Sequence, residues 1–206
     1  GVDTNRGSVD APAVVNAAGA WAGGVAGLVS VDIPITVWRH DTGYLGVPGS
    51  VPRPIPVVID NASSMYFRAE GTDMVLIGLE DDNQMGGSPD RDTTEAASDL
   101  RDRAAERIIR RVPGLIDGTF RTSHSGQDGL TPDQRPMLGA IGPDGFYLDC
   151  GHSGTGFKTA PAVGLGMAEL ILDGTTATVD LGPFAPRRFA EGRLLIGEHG
   201  EEKIWR

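Results

Sequence analysis

The chain has 206 residues, of which 39% are hydrophobic, and it carries a formal net charge of -10. This length and apolar content allow one domain, or one and a half, with a sizeable core. No basic stretch stands out, so we expect no nucleic-acid partner, because neutralising phosphates requires grouped cations.

The single cysteine, Cys150, excludes an internal disulfide and favours a reducing, cytoplasmic location. The histidines are too far apart for ligand-type spacing, so no metal site is predicted.

The uncharged stretch from Ala11 to Val31 has the length of a membrane span, but its Gly, Ala and Val content is too weakly apolar, and no span is predicted. The first ten residues do not resemble a signal peptide.

Short apolar runs separated by turns predict a series of strands in the first half of the chain. These strands are predicted at Ala13–Ala17, Ile35–Leu45, Val57–Ile59, Met65–Ala69 and Val75–Leu79. Small residues after the first strand predict a helix that ends near Leu28. Glu-Gly-Thr-Asp between the last two strands is typical of a hairpin turn, which favours antiparallel pairing.

The clearest helix is predicted from Thr93 to Val112. Thr93 or Thr94 can cap its start, Glu95 strengthens its first turn, and Pro113-Gly114 stops it. Basic residues near its end suit the negative end of the helix dipole. Its apolar stripe consists of Leu100, Ala104, Ile108 and Val112.

Two more strands, Phe120–Ser125 and Phe146–Cys150, precede a helix predicted from Lys158 to Leu172. Consecutive strands with hairpin turns indicate a mostly antiparallel sheet, whereas strand-to-helix turns near both ends indicate pieces of a more parallel layer. The predicted fold class is therefore α+β.

The sequence Cys-Gly-His-Ser-Gly-Thr-Gly-Phe-Lys, from Cys150 to Lys158, joins a strand to a helix. This arrangement presents backbone N–H groups and the positive end of the helix dipole, and its glycines let a flat ligand come close. The spacing fits neither a P-loop nor a full Rossmann fingerprint. It suits a group that gains negative charge, such as the N1–C2=O2 edge of a flavin, but it also suits a plain tight connection with a surface lysine.

Four stretches resemble the D-amino-acid oxidase-like flavoproteins, the group with glycine oxidase, monomeric sarcosine oxidase and dimethylglycine dehydrogenase, and they occur in that family's order. They are Val14–Ala22 (VVNAAGAWA), Leu130–Gly139 (LTPDQRPMLG), Gly151–Lys158 followed by Ala160-Pro161 and Gly164, and Arg188–Gly192 (RFAEG).

The resemblance implies an FAD-binding layer and a substrate domain with a large antiparallel sheet over the flavin. Residues 1–30 would end the FAD-binding domain, residues 31–125 would form the substrate domain, and residues 126–206 would return to the FAD-binding domain. No GxGxxG of the family's first strand–loop–helix unit is present, so the C-terminal part of an incomplete FAD-binding α/β layer is expected, and weak FAD binding by this chain alone.

The resemblance also implies site residues. The expected cofactor contacts are Gly19, Ala20, Trp21, Gly151, Ser153, Gly154, Gly156, Phe157 and Lys158. The expected catalytic residues are Lys158, Thr155 and His152, although His152 could also be a loop histidine bonded to backbone. Arg39 and the pair Tyr66 and Arg68, which alternate along one strand, are candidate substrate contacts or ordinary sheet-surface residues.

The implied activity is FAD-dependent oxidation of the CH–NH group of a small amino acid or N-methyl amino acid. Two departures bear on the electron acceptor: Thr155 stands where the sarcosine-oxidase branch often has histidine, and Leu76 stands where it has a lysine that helps oxygen react. No cysteine precedes Thr131, so a cysteinyl-flavin link is not supported.

Two alternatives stay open. The chain could be a non-catalytic interaction or regulatory module, or it could belong to a related flavin dehydrogenase of CH–OH substrates. In that second case Arg39, Arg68 and Lys158 would be the available phosphate contacts. The electron acceptor and the oligomeric state are left open.

Overall fold

The computed structural model describes residues 1–81, 83–91 and 96–196. Its strands and longer helices are, in chain order, β1 (Val2–Thr4), β2 (Gly7–Val9), β3 (Val14–Asn16), α1 (Ala22–Gly27), β4 (Thr36–Gly46), β5 (Val58–Asp60), β6 (Met65–Glu70), β7 (Met74–Leu79), α2 (Leu100–Arg111), β8 (Thr119–Leu130), β9 (Met137–Ala140), β10 (Phe146–Cys150) and α3 (Gly156–Asp173). Short 3-10 helices lie at Gly19–Trp21, Pro113–Asp117, Gly182–Phe184 and Pro186–Arg188. The chain divides into two compact units, Gly1–Val37 with Asp128–Arg206, and Trp38–Gln127.

The first unit is built on the sheet β3-β10-β9, in which β3 is parallel and β9 antiparallel to β10. Side chains alternate between the two faces of this sheet. One face packs with α1 in a cluster of Ala22, Ala26, Ile33, Met137, Phe146, Leu148 and Cys150. The other face packs with α3 in a cluster of Leu138, Val163, Met167 and Leu181. The prediction of a more parallel layer is met by the β3–β10 pair alone, because β9 pairs antiparallel with β10.

The second unit is built on a five-stranded antiparallel sheet in the order β5-β6-β7-β4-β8. The predicted hairpin is confirmed, because β6 pairs antiparallel with β7 and Glu70 lies opposite Met74. One sheet face is covered by α2, whose residues Leu100, Ala104 and Ile108 are buried at intervals of one turn. The α+β fold class predicted from the sequence is therefore confirmed.

The start of α2 corrects the predicted helix Thr93–Val112, because the helix begins at Leu100 and residues 96–99 are not helical. Ala97 donates its N–H to the Asp41 carboxylate at 2.7 Å, so this residue is held at the sheet by a side chain of β4. The predicted capping residues Thr93, Thr94 and Glu95 lie outside the described residues.

Other differences concern short or extended strands. β8 is twice as long as the predicted strand Phe120–Ser125, and β1, β2 and β9 were not predicted. Such three- and four-residue strands are too short to show alternation, and Gly139 within β9 has a φ of +114°. The uncharged stretch between Ala11 and Val31 forms β3 and α1, and no described helix is both long and apolar enough to cross a bilayer.

A buried ion pair fixes the segment that follows β8. Arg188 is 1% exposed, and its guanidinium donates from Nε and Nη2 to the two oxygens of Asp133 at 2.7 and 2.9 Å. The same carboxylate accepts the hydroxyl of Thr131 and the N–H groups of Arg135 and Leu195. One buried charge pair therefore ties the Thr-Pro-Asp segment to the chain near Arg188.

The charge on Asp133 is stabilised by these contacts. Burial by itself raises the pKa of Asp133, but the hydrogen bonds from Arg188, Leu195 and Arg135 together with the Arg188 charge outweigh it and lower the pKa. This stabilisation is present above the unfolded-state pKa of an aspartate and is lost as the pH falls through the lowered folded-state value.

We expect Asp133→Asn or Arg188→Met to lower the free energy of unfolding by about 3–5 kcal/mol, because each leaves a buried charge without its counter-ion. Urea denaturation measures this change. The double variant Asp133→Leu/Arg188→Met should recover part of the loss, since neither charge is then buried alone.

Arg187→Met is the matched control, because Arg187 is the exposed neighbour of Arg188 and pairs only with Glu191 at 3.8 Å among the contacts of its side chain that the structure describes. This variant should change stability by less than about 0.5 kcal/mol. Equal effects of the Arg187 and Arg188 substitutions would contradict the role assigned to the buried pair.

Candidate functional site

The loop between β10 and α3 makes a sharp turn built from left-handed residues. Gly151, Ser153 and Gly154 have φ values of +69°, +52° and +81°. A side chain at Gly151 would collide with Thr131, since an added Cβ would lie 2.5 Å from Thr131 Cγ2. Glycine is therefore required at Gly151 by both conformation and space.

Ser153 supports this loop from within. Its side chain is fully buried, and its hydroxyl donates to the Gly151 carbonyl at 3.1 Å and accepts the Thr131 N–H at 3.2 Å. The Ser153 N–H donates to the Gly129 carbonyl at 3.3 Å. The structure thus gives Ser153, a predicted cofactor contact, the role of joining the loop to the end of β8.

Asp128, at the end of β8, holds the tip of the same loop. Its Oδ2 accepts the Gly154 N–H at 2.7 Å, and its Oδ1 accepts the Gly129 N–H at 2.7 Å. Asp128 was not among the predicted site residues, because nothing in the local sequence shows that it faces a loop 26 positions further along.

The turn Gly19–Trp21 reaches the same segment. An added Cβ on Gly129 would lie 2.9 Å from the Gly19 carbonyl oxygen, so this turn packs against the chain that also holds the glycine-rich loop. Asn16 shapes the turn, because its amide donates to the Ala22 carbonyl and accepts the Ala18 N–H. Ala20 is buried, whereas Trp21 is 46% exposed. Both predicted cofactor-contact turns therefore meet at the end of β8.

The start of α3 is open to solvent. Phe157 is fully exposed and Lys158 is exposed, and Gly156 begins the helix. The first N–H groups of an α-helix have no intrahelical acceptor, and in α3 these groups belong to the turn that begins at Gly156. Together with the Lys158 ammonium they form an electropositive surface.

Thr155 and His152, two predicted catalytic residues, are engaged within the loop. The Thr155 hydroxyl and N–H both donate to the His152 carbonyl, at 2.7 and 2.9 Å. The His152 Nε2 lies 2.8 Å from Asp149 Oδ1, and the imidazole borders a cavity of about 230 Å³ that Ala17 also lines. Their catalytic roles stay predictions.

Cys150 ends β10 inside the core. It is 1% exposed, and burial followed by the nearby Asp149 charge raises the pKa of its thiol to about 12. A neutral thiol in this position packs as a small apolar side chain.

In the second unit, Tyr66 and Arg68 lie on the sheet face opposite α2. The Tyr66 ring covers Gly78, where any side chain would overlap it, and its hydroxyl lies 2.8 Å from His40 Nε2. Arg68 is more exposed and pairs with Glu70 at 2.5 Å. His40, which was not predicted, is therefore the partner of a predicted substrate residue.

Burial sets the protonation of this pair. It lowers the pKa of His40 from 6.5 to about 4; the Asp41 charge opposes that shift and His124 adds to it. Burial, with the Glu80 charge, also raises the pKa of Tyr66 to about 12. Both rings are therefore neutral near pH 7.

Arg39 is not brought together with Tyr66 and Arg68. It alternates with His40 along β4 and faces the α2 side, where it donates to Asp41 at 3.0 Å and Ser125 at 2.8 Å. Leu76, which replaces the lysine expected from the resemblance, lies opposite Arg68 and is 7% exposed. The Tyr66 face thus has an apolar residue at that position.

Comparison with known proteins identifies relatives of this chain. Residues 1–170 match the sequence profile of a family described as FAD dependent oxidoreductase. Mitochondrial sarcosine dehydrogenase of Homo sapiens is 28% identical over 200 residues, which are 92% of this chain and 21% of that protein.

Two solved structures are similar over nearly the whole chain. L-proline dehydrogenase from P. horikoshii has a TM-score of 0.82 and 28% identity, over 93% of this chain and 50% of that one. Glycine oxidase from Geobacillus kaustophilus has a TM-score of 0.78 and 25% identity, over 90% of this chain and 48% of that one. The chain spans half or less of the length of these three relatives.

We expect Gly151→Ala to lower the free energy of unfolding by about 2 kcal/mol or more, because it combines left-handed strain with a collision against Thr131. Gly164→Ala is the matched control, since Gly164 lies in α3 with open space around an added Cβ. It should stabilise the protein by about 0.5–1 kcal/mol, measured by urea denaturation. Equal responses would show that the loop does not require glycine.

We also expect His40 to make stability depend on pH. Because its folded-state pKa of about 4 lies below the unfolded value of 6.5, the unfolded chain binds more protons between these values. The stabilisation is complete above pH 6.5 and falls by up to about 3 kcal/mol as the pH drops to 4. His40→Asn should lack this part of the slope in denaturation curves recorded across that range. Parallel curves for both proteins would contradict the assignment.

Proposed function

We propose that this chain, which belongs to the FAD-dependent oxidoreductase family, contributes to a flavin site at the start of α3 and serves the oxidation of a CH–NH group in a small amino acid or N-methyl amino acid. The observation that carries the proposal is the meeting of the Gly19–Trp21 turn and the Gly151–Lys158 loop at the end of β8. Members of the family named for sarcosine, proline and glycine support the substrate class.

The residues present fit a flat, electron-rich group. The exposed start of α3 offers N–H groups, a positive helix end and Lys158, and glycines leave the approach open. We propose that Gly19, Ala20 and Trp21 contact the cofactor from one turn, and that Gly154, Gly156, Phe157 and Lys158 contact it from the loop. A bound flavin supplies the hydride acceptor for the reaction.

The proposed roles of Lys158, Tyr66 and Arg68 follow from the charge and hydrogen-bonding capacity of their side chains. Lys158 stabilises negative charge that develops during reduction and attracts a substrate carboxylate. Tyr66, held by His40, and Arg68 are proposed to orient the substrate. Because Leu76 occupies the position of the oxygen-activating lysine, an electron acceptor other than oxygen is compatible with the proposal.

The proposal concerns the intact protein, because the chain spans half or less of its relatives. α3 exposes large apolar side chains besides Phe157, namely Leu165 at 48% and Leu172 at 81%. Exposed apolar surface of this kind favours packing against further protein. We propose that the rest of the FAD-binding unit covers it, and expect this chain alone to bind FAD weakly.

The test is an anaerobic screen of the intact, flavin-loaded protein against amino acids and N-methyl amino acids, with loss of the flavin absorbance as the signal. The matched controls are 2-hydroxy acids and glycerol phosphate, which carry CH–OH in place of CH–NH. Bleaching by the controls alone would favour the CH–OH alternative. A protein that stays colourless after FAD addition would support the non-catalytic module instead.

We expect Lys158→Met to disfavour the reduced flavin about tenfold relative to the oxidised flavin, because the ring gains negative charge only on reduction. This change corresponds to a fall of about 30 mV in the two-electron midpoint potential, measured by redox titration of the intact, flavin-loaded protein. Arg101→Met is the control, since Arg101 is an exposed cation of α2 paired with Asp102. Equal potentials for the two variants would contradict the role of Lys158.

A further inference from the structure

The carboxylate of Asp128 occupies the tip of the glycine-rich loop. It accepts N–H groups from Gly154 and Gly129, both at 2.7 Å, and its side chain is only half-buried. Charge-assisted bonds of this length are stronger than neutral ones. The end of β8 therefore places a negative charge within the loop proposed to hold the flavin.

The neighbouring loop N–H groups are also engaged inside the protein. The Ser153 N–H donates to Gly129 and the Thr155 N–H donates to His152. With the Gly154 N–H bound to Asp128, three successive loop donors are unavailable to a ligand. The positive potential offered outward comes instead from the first turn of α3 and from Lys158.

We propose that Asp128 is a positioning residue that fixes the loop tip and lowers the reduction potential of the bound flavin. This role rests on the proposed function. Reduction adds negative charge to the flavin, and a fixed carboxylate held by the loop opposes that charge while Lys158 favours it. Asp128 thus lowers the reduction potential of the bound flavin, whereas Lys158 raises it. A low potential favours transfer of electrons onward from the reduced flavin.

Asparagine removes the charge but keeps one acceptor, because its amide oxygen can still accept the Gly154 N–H, whereas its NH₂ group cannot accept the Gly129 N–H. Alanine removes both the acceptor and the charge. Asp144→Asn is the matched control, since Asp144 is an exposed aspartate of the same unit and the net charge changes equally.

The first experiment requires no flavin. Amide hydrogen exchange at Gly154 should become at least about tenfold faster in Asp128→Ala, because a bond to a charged acceptor is lost. It should rise by less in Asp128→Asn, whose amide oxygen is a weaker, neutral acceptor, and stay at the wild-type rate in Asp144→Asn. An unchanged rate in Asp128→Ala would overturn the positioning part of the inference.

The second experiment uses the intact, flavin-loaded protein and measures the two-electron midpoint potential by equilibration with reference dyes. Asp128→Asn should favour the reduced flavin about tenfold, which corresponds to a rise of about 30 mV. Asp144→Asn should leave the potential unchanged. The same potential in Asp128→Asn and wild type, or an equal rise in Asp144→Asn, would overturn the tuning part.

Failure of the inference and failure of the proposed function give different results. If wild-type protein binds flavin and is reduced by an amine substrate but Asp128→Asn has the wild-type potential, only the inference is overturned. If no preparation of the intact protein binds flavin, the proposed function is overturned and the tuning role with it, whatever the exchange rate at Gly154.

Discussion

Asp133 and Arg188 form a charge pair that is almost wholly removed from solvent, and the candidate site depends on it through a short series of hydrogen bonds. The Asp133 carboxylate accepts the Thr131 hydroxyl, and the Thr131 N–H donates to the buried hydroxyl of Ser153. Ser153 in turn holds the Gly151 carbonyl, where the chain leaves β10. Because each of these polar groups is buried, leaving any of them without a partner is costly, and the conformation of the loop is coupled to the chain near Arg188.

In the second unit a different constraint operates, namely the lack of a side chain at Gly78. The Tyr66 ring can cross β7 to reach His40 on β4 only because this position is glycine. Trp38 packs beside His40 with ring centroids 4.5 Å apart, and the resulting burial keeps the imidazole neutral. A neutral imidazole can either donate a hydrogen bond to the Tyr66 oxygen or accept one from the Tyr66 hydroxyl, depending on its tautomer. The pair can therefore hold the hydroxyl in a defined orientation without adding charge to the sheet face.

The longer strands and the presence of the two longer helices were predictable, because apolar periodicity and glycine or proline stops are local signals; β10 has the predicted bounds. The start of α2 was not, since it is set by the bond from Ala97 to Asp41, a residue 56 positions away. Asp128 and His40 could not be predicted as site residues for the same reason, because each contacts a partner that only the folded chain brings near. For the glycine-rich loop the sequence indicated the turn and the helix start, but not which N–H donors are engaged within the protein.

Arg39 was grouped with Tyr66 as a candidate substrate contact, but β-strand alternation places their side chains on opposite faces of the five-stranded sheet.

The internal hydrogen bonds of the loop also determine what a ligand would have to offer. A loop whose donors wait for a ligand must be ordered on binding, and that ordering reduces the affinity. Here Asp128, Gly129 and His152 accept the N–H groups of residues 153–155, so the loop is ordered without a ligand. A flavin would then interact with a preorganised surface consisting of the first turn of α3 and Lys158. Preorganised charges of this kind stabilise an anion without a reorganisation cost, so in the proposed site the reduction potential of a bound flavin would depend on their balance against the Asp128 carboxylate.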